Sequence, residues 1–292
     1  MPTAVELSIP ILTMMDADCL EFGRVFKGSL EAVAWPRRLK AIKFDLSSRF
    51  DMPINLVEWP ASLQRLVFGK VFHKPIEWVN FPASLQELEV GDNFMHAIND
   101  VPWPSSLRRL SFGAFFDQPI EDVVWPASLK QLAFGGYFNQ PTEGVVWRDS
   151  LLKIHFGNFF NRQIDNARWP ASLQDVTFGG CSDSQDKGRR DNRMLRLSLF
   201  NQRIGSSVWL ASLRRLNLGG DFRQSLQGLG TWMPNLEGLH LFDGEDIVSQ
   251  NDSLLRGIEW PEGLRELTVF WESSLHGVEI PPTVTIHRPG WV

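Results

Sequence analysis

Cysteine, tyrosine, net charge and long apolar runs are all small or scarce in this 292-residue chain, and each scarcity excludes something. Cysteine occurs only at Cys19 and Cys181, too few and too far apart for a disulfide framework or a zinc cluster. No apolar run reaches the roughly 18 residues that a membrane-spanning helix needs. The opening MPTAVELSIPILTMMDADCL lacks a basic start and carries Glu6 and Asp16, so it does not read as a secretory leader. The net charge of −5 is mild and gives no bulk reason to expect a nucleic acid or a membrane as partner. An intracellular, cytoplasmic, soluble protein is the expectation. Tyrosine occurs once against twelve tryptophans, and chance composition does not explain that.

Periodicity explains it. Trp35, Trp59, Phe81, Trp103, Trp125, Trp147 and Trp169 are separated first by 24 residues and then by 22 at every step. Counted from Trp125, Leu129 stands at four places, Leu132 at seven, Phe134 at nine and Gly135 at ten, and equivalents recur at each step. A worn copy holds Leu20, Phe22, Gly23 and Phe26, and clear copies begin at Trp209, Trp232 and Trp260. A degenerate copy fits Met194, Leu197 and Leu199. Together they make about twelve rungs. The whole chain, 1–292, is expected to be one repeat domain, with rungs over about 13–280. Short caps are expected at about 1–12 and 281–292, and polar insertions interrupt the frame at 181–193 and 243–257.

Each rung has a physical script. The spacing L-x-x-L-x-F presents one apolar face of a short strand, and Gly ends it. Twenty-two residues are too few for a strand, a full helix and two loops, so the return side must be extended or 3₁₀-like. A lone unit cannot bury its apolar face, whereas stacked copies share a continuous core. The expected fold is a mainly β repeat solenoid: a curved stack of short parallel strands.

The units LAFGGYFNQPTEGVVWRDSL, LSFGAFFDQPIEDVVWPASL and LVFGKVFHKPIEWVNFPASL resemble the FNIP repeat family, a leucine-rich-repeat-like group of 22-residue repeats. The resemblance is close from about 60 to 180 and looser at the flanks. It implies a leucine-rich-repeat-like architecture and an interaction module. Some members of the family carry an F-box upstream; with only about a dozen residues ahead of the first rung, none is expected here. Ordinary leucine-rich repeats also place Asn after the strand, where this chain has Phe72, Phe116, Phe138 and Phe160 nearby.

Several repeated residues could suggest chemistry, and repetition itself argues against it. The Trp ladder could stack sugars or bases, but its coupling to the Leu positions assigns it to the core. Pro36, Pro60, Pro82, Pro104, Pro126, Pro170 and Pro261 follow the aromatic and mark a corner. Ser62, Ser84, Ser106, Ser128, Ser150, Ser172 and Ser212 cannot each own a base and an oxyanion hole, so they are read as hydroxyls bonded to turn backbone. Glu121, Glu143 and Asp165 fall in adjacent rungs, at a separation that carboxylate pairs of glycosidases also use. They form the basis of a third-ranked hydrolase reading. His155 and His240 lie on the exposed side of their strands, four rungs apart on this count and too distant to share a metal. No catalytic group, cofactor or metal is expected.

Specificity in a repeat protein belongs to the positions that vary. The x residues of L-x-x-L-x-F should face the concave side of the sheet. From Arg108 to Asn217 they include seven cations, Arg108, Arg109, Lys130, Lys153, Arg196, Arg214 and Arg215, against one acid, Asp175. Ser111, Gln131, His155, Thr177, Ser198 and Asn217 stand among them, and Glu87, Glu89, Glu237 and Glu266 bound the band. This suggests a non-catalytic scaffold holding an acidic protein or peptide on a basic concave face. The alternative is direct binding of a carbohydrate, a nucleic acid or an ordered surface. Nucleic acid is disfavoured by the overall acidity.

Overall fold

The computed structural model describes residues 17–179, 198–204, 211–241, 255–269, 275 and 277–287. Its frame is a single twelve-stranded sheet in which every strand pairs, in parallel, with the next in sequence. The strands are β1 (Cys19–Phe22), β2 (Ala41–Phe44), β3 (Arg65–Val67), β4 (Glu87–Glu89), β5 (Arg109–Ser111) and β6 (Gln131–Ala133). They continue as β7 (Lys153–Phe156), β8 (Asp175–Phe178), β9 (Arg215–Leu218), β10 (Gly238–Leu241), β11 (Glu266–Val269) and β12 (Thr285–His287). A four-residue helix, α1 (Leu229–Trp232), lies between β9 and β10. At about 4.8 Å per strand the stack is about 50 Å long.

The strand is short because only its middle residue must point inward. Leu66, Leu88, Leu110, Leu132, Ile154 and Val176 are buried in register, and the residues on either side of each are on the other face of the sheet, where Val67 and Ser111 are themselves covered. The rest of the rung is a series of tight turns. In the β5 rung, Phe116 N–H donates to Gly113 O, Val123 N–H to Ile120 O and Leu129 N–H to Pro126 O. Three such corners return 22 residues to the start of the next strand.

The repeated letters do the stacking. Phe112, Phe134, Phe156 and Phe178 form one column with ring centroids 5.5–5.9 Å apart. Phe94, Phe116, Phe138, Phe160, Phe200 and Phe222 form a second, at 6.1–6.2 Å. Both exceed the strand spacing of about 4.8 Å. The rungs therefore fan out away from the sheet, which lies on the inner side of the arc. Trp125, Trp147 and Trp169 stack at 6.1 and 5.3 Å and are buried. Trp78 stands apart from this ladder and is 74% exposed.

Each serine hydroxyl donates to the carbonyl of the preceding rung: Ser106 to Leu85, Ser128 to Leu107, Ser150 to Leu129 and Ser172 to Leu151. They bond turn backbone as expected, and the bond runs between rungs. A second ladder follows the second Phe. Asp117, Asn139 and Asn161 each accept, on the side-chain oxygen, the backbone N–H of Asn139, Asn161 and Asn201 respectively. The post-strand Asn of ordinary leucine-rich repeats thus has a counterpart, one residue after the Phe. At Gly113, Gly135 and Gly157 the preceding rung's backbone carbonyl fills the space a Cβ would take, so glycine is required by contact.

Two features differ from the sequence reading. β9 pairs directly with β8, Asp175 opposite Arg215 and Thr177 opposite Asn217. No strand of the expected degenerate rung at Met194, Leu197 and Leu199 therefore stands between them in the sheet, and Leu199 lies outside any strand. Phe200 stacks on Phe178 and Phe160, the place a second-column Phe must take, so Phe200–Ile204 completes the rung that β8 began. The spacing of Met194, Leu197 and Leu199 imitates a strand, but Phe200-Asn201-Gln202 is the stronger match to Phe160-Asn161-Arg162. Met194, Leu197, Arg196 and the 181–193 insertion lie outside the described residues, as does most of 243–257. At the other end the segment expected as a cap, 281–292, contributes β12. The strand count stays at twelve with different members.

Candidate functional site

Two side-chain columns line the inner face of the sheet, the one turned away from the core, one on each side of the buried Leu column. The first runs Arg65, Glu87, Arg109, Gln131, Lys153, Asp175 and Arg215. The second runs Val67, Glu89, Ser111, Ala133, His155, Thr177, Asn217 and His240. Arg108, Lys130 and Arg214 sit one residue ahead of the first column, at the entrance to their strands. Backbone bonds fix them there: the carbonyl of Arg108 accepts from both Lys130 N–H and Gln131 N–H, and that of Gln174 from Arg214 and Arg215. The structure so brings together Arg108, Arg109, Ser111, Lys130, Gln131, Lys153, His155, Thr177, Arg214, Arg215 and Asn217.

Ser198 does not join them. It is buried in the turn that leads to Phe200, against Gly219, because the rung assigned to it from the sequence is absent. Removing that rung also places His155 and His240 three strands apart, about 14 Å rather than the spacing of four. They still cannot share a metal. Among the described residues no group of three or more His, Cys, Asp or Glu could hold one.

Register changes the electrostatics that the sequence suggested. The first column alternates in sign, so neighbours on adjacent strands pair. Arg65 Nε lies 3.3 Å from Glu87. Asp175 lies between Lys153 Nζ at 2.7 Å and Arg215 Nε at 2.8 Å, and Arg214 pairs with Glu237. Burial pushes the Asp175 carboxyl up, but hydrogen bonds from Arg215 and Lys153 outweigh it and hold it below its ordinary value. Three of the named cations are thus engaged within the sheet. Arg108, Arg109 and Lys130 have no ion pair within 4.0 Å among the described residues. The cations without a close ion pair narrow to β5 and β6, where Arg109 stands opposite Glu87 and also acts on Glu89.

Two titrating groups sit in the second column. Burial raises Glu89 to about 7, against the pull of Arg65 and Arg109. Burial lowers His240, with Glu266 opposing and His287 adding to the shift. The Asn217 carboxamide oxygen is buried without a hydrogen bond among the described residues. Glu121, Glu143 and Asp165 stand exposed along the turns of the return side, and Glu143 accepts a hydrogen bond from Asn166 at 3.3 Å. Nothing in that row resembles a desolvated acid–base pair.

Sequence reasoning missed two features. One is the bridging role of Asp175, which a column-by-column count would have found. The other is an exposed row on the far rim of the same rungs: Phe115, Tyr137, Phe159 and Leu199. No described helix is long and apolar enough to cross a membrane.

Residues 97–137 and 116–151 match the family model of the FNIP repeat. A search of curated protein sequences gives no match. Among solved structures the chain is similar to CroV588, described as a novel circular LRR protein, at 25% identity and a TM-score of 0.61. That similarity covers 96% of this chain and 48% of the other, so this chain spans about half its length. A weaker likeness, 13% identity and a TM-score of 0.47, links it to an internalin (inlF) from Listeria monocytogenes, covering 85% of this chain and 73% of that one. FNIP repeats are matched over residues 97–151, and the chain builds a leucine-rich-repeat-like parallel β-solenoid.

Proposed function

We propose that this repeat scaffold is non-catalytic and captures an acidic protein or peptide on the inner face of its sheet. One observation carries the reading. Arg108, Arg109 and Lys130 converge on two adjacent strands, with no ion pair among the described residues, while the cations of β7 to β9 are held by Asp175 and Glu237. Free guanidinium forks beside an ammonium favour carboxylates. Gln131, Ala133 and the covered Ser111 add no charge beside them. Stacked repeats that contact only their neighbours suit an extended binding surface of this kind.

The test is titration of a fluorescent Glu-rich peptide against the full chain at low and high salt. Arg109→Glu with Lys130→Glu should weaken binding by about tenfold or more at low salt, and melting should be unchanged because both side chains face solvent. Equal binding by the reversed variant rejects the reading. Lys153→Gln should matter less, since that ammonium already serves Asp175.

A further inference from the structure

The exposed row on the far rim points to the character of the partner, and this inference rests on the reading above. Phe115, Tyr137, Phe159 and Leu199 are 43%, 49%, 40% and 42% exposed, unusual for four successive large apolar residues on one surface line. Their alignment is set by backbone. Tyr137 N–H donates to Ala114 O, Phe159 N–H to Gly136 O and Leu199 N–H to Asn158 O, the same bond repeated from rung to rung. The same bond places Asn93 before the row and Asp221 after it, so the apolar stretch is confined to the rungs of β5 to β8. The basic face begins at β5 as well, beyond Glu87 and Glu89. Two independent columns thus change character at the same strand.

The rims face each other across one strand length. Arg109 opens β5 and Phe115 lies in the corner just beyond it, with a three-residue strand of about 10 Å between. Ring geometry narrows the ligand. Phe115 and Tyr137 have centroids 5.1 Å apart, and Tyr137 and Phe159 stack at 4.7 Å and 15°. Tyr137 is thus flanked by two rings, stacked on Phe159 and tilted against Phe115, which leaves its edge rather than an open face to a ligand. Sugars and bases need open faces to stack on. An edge, the positive end of the ring quadrupole, suits aliphatic chains, a thioether sulfur or the face of another aromatic ring.

We propose that the captured segment is amphipathic: its carboxylates lie along Arg109 and Lys130, and its Leu, Met or Phe side chains lie along the aromatic row. The experiment is a selection of random displayed peptides on the full chain, followed by titration of the resynthesised winners. Three variants are compared: Phe115→Asn/Tyr137→Asn/Phe159→Asn, which takes the residue of Asn93 into the row; Tyr137→Asn alone, should the triple variant not fold; and Arg109→Glu/Lys130→Glu. Winners should combine Asp or Glu with Leu, Met or Phe, and lose about tenfold in affinity on the Asn variants. Purely acidic winners that bind the Asn variants as well as the parent overturn the inference and leave the basic face standing. Apolar winners indifferent to Arg109→Glu/Lys130→Glu overturn the basic face, and with it the amphipathic pairing. A selection that enriches nothing overturns both.

Discussion

Arg215 follows Asp175 by forty residues in the chain and by one strand in the sheet, with its Nε 2.8 Å from Asp175 Oδ1. Lys153 reaches the same carboxylate from the other side. Two partly exposed cations and a mostly covered acid make a three-strand clasp, worth less than its distances suggest because solvent screens both cations. Asp175→Asn should cost about 1 kcal/mol near neutral pH. The folded Asp175 titrates below its ordinary value, so its stabilisation is present above the ordinary carboxylate range and is lost as pH falls through the depressed value. Urea midpoints of parent and variant should converge once the pH has fallen below that depressed value. Freed of Asp175, Lys153 and Arg215 should also tighten binding of the Glu-rich peptide.

Glu89 has the opposite sign. Its folded value of about 7 lies above the ordinary 4.5, so its relative stabilisation is full below 4.5 and disappears as pH rises through about 7. Glu89→Gln should therefore melt higher than the parent at about pH 8 and level with it at about pH 4. A variant that melts level with the parent at both values would show that the carboxyl is not held out of water.

Gly135 tests the stacking contact. Its missing Cβ would meet the carbonyl oxygen of Gly113 in the rung before, a backbone atom that cannot rotate away. Gly135→Ala should cost about 2 kcal/mol or more, and Gly136→Ala, where a Cβ meets nothing within 4 Å, should cost far less. Equal losses in denaturant unfolding would mean that flexibility, not contact, selects glycine here.

Thr142 occupies a position that is Ile in the rungs of Ile54, Ile76, Ile98, Ile120 and Ile164. It is fully buried, and its hydroxyl has no hydrogen bond among the described residues. Thr142→Val keeps the shape and removes the orphaned oxygen, so it should stabilise the chain by about 1 kcal/mol. A lower urea midpoint would show that the hydroxyl has a partner in solution.

Fold and site were not equally legible in the sequence. Leu, Phe, Trp and Gly at fixed intervals specify the rung because stacking tolerates little else at those points, as the backbone contact at Gly135 illustrates. Where a similar spacing recurs, at Met194, Leu197 and Leu199, no strand stands between β8 and β9. A strand is defined by its partner, and only Phe200 stacked on Phe160 shows which rung the segment serves. The variable face was legible as a set of residues, Arg109, Lys153, Arg215 and their neighbours, but not as a field. Counting cations along the chain ignores which acid each one meets, and Asp175 meets two. The aromatic row escaped notice because Phe115, Tyr137 and Phe159 lie beside the buried Phe116, Phe138 and Phe160, which are the same kind of residue turned inward.

On either side of residues 180–197 the aromatic column is unbroken, Phe160 to Phe200 to Phe222 at 6.2 and 6.1 Å. Its hydrogen-bonded ladder also carries across, Asn161 to Asn201. That corner is a splice point. Loop closure grows only slowly with length, by about 0.6 kcal/mol for each doubling, so a foreign sequence joined there should leave the pitch of the coil untouched. A fluorescent reporter or an affinity handle could be threaded in at this one joint, away from β5 and β6, and ride on a scaffold that keeps its own count.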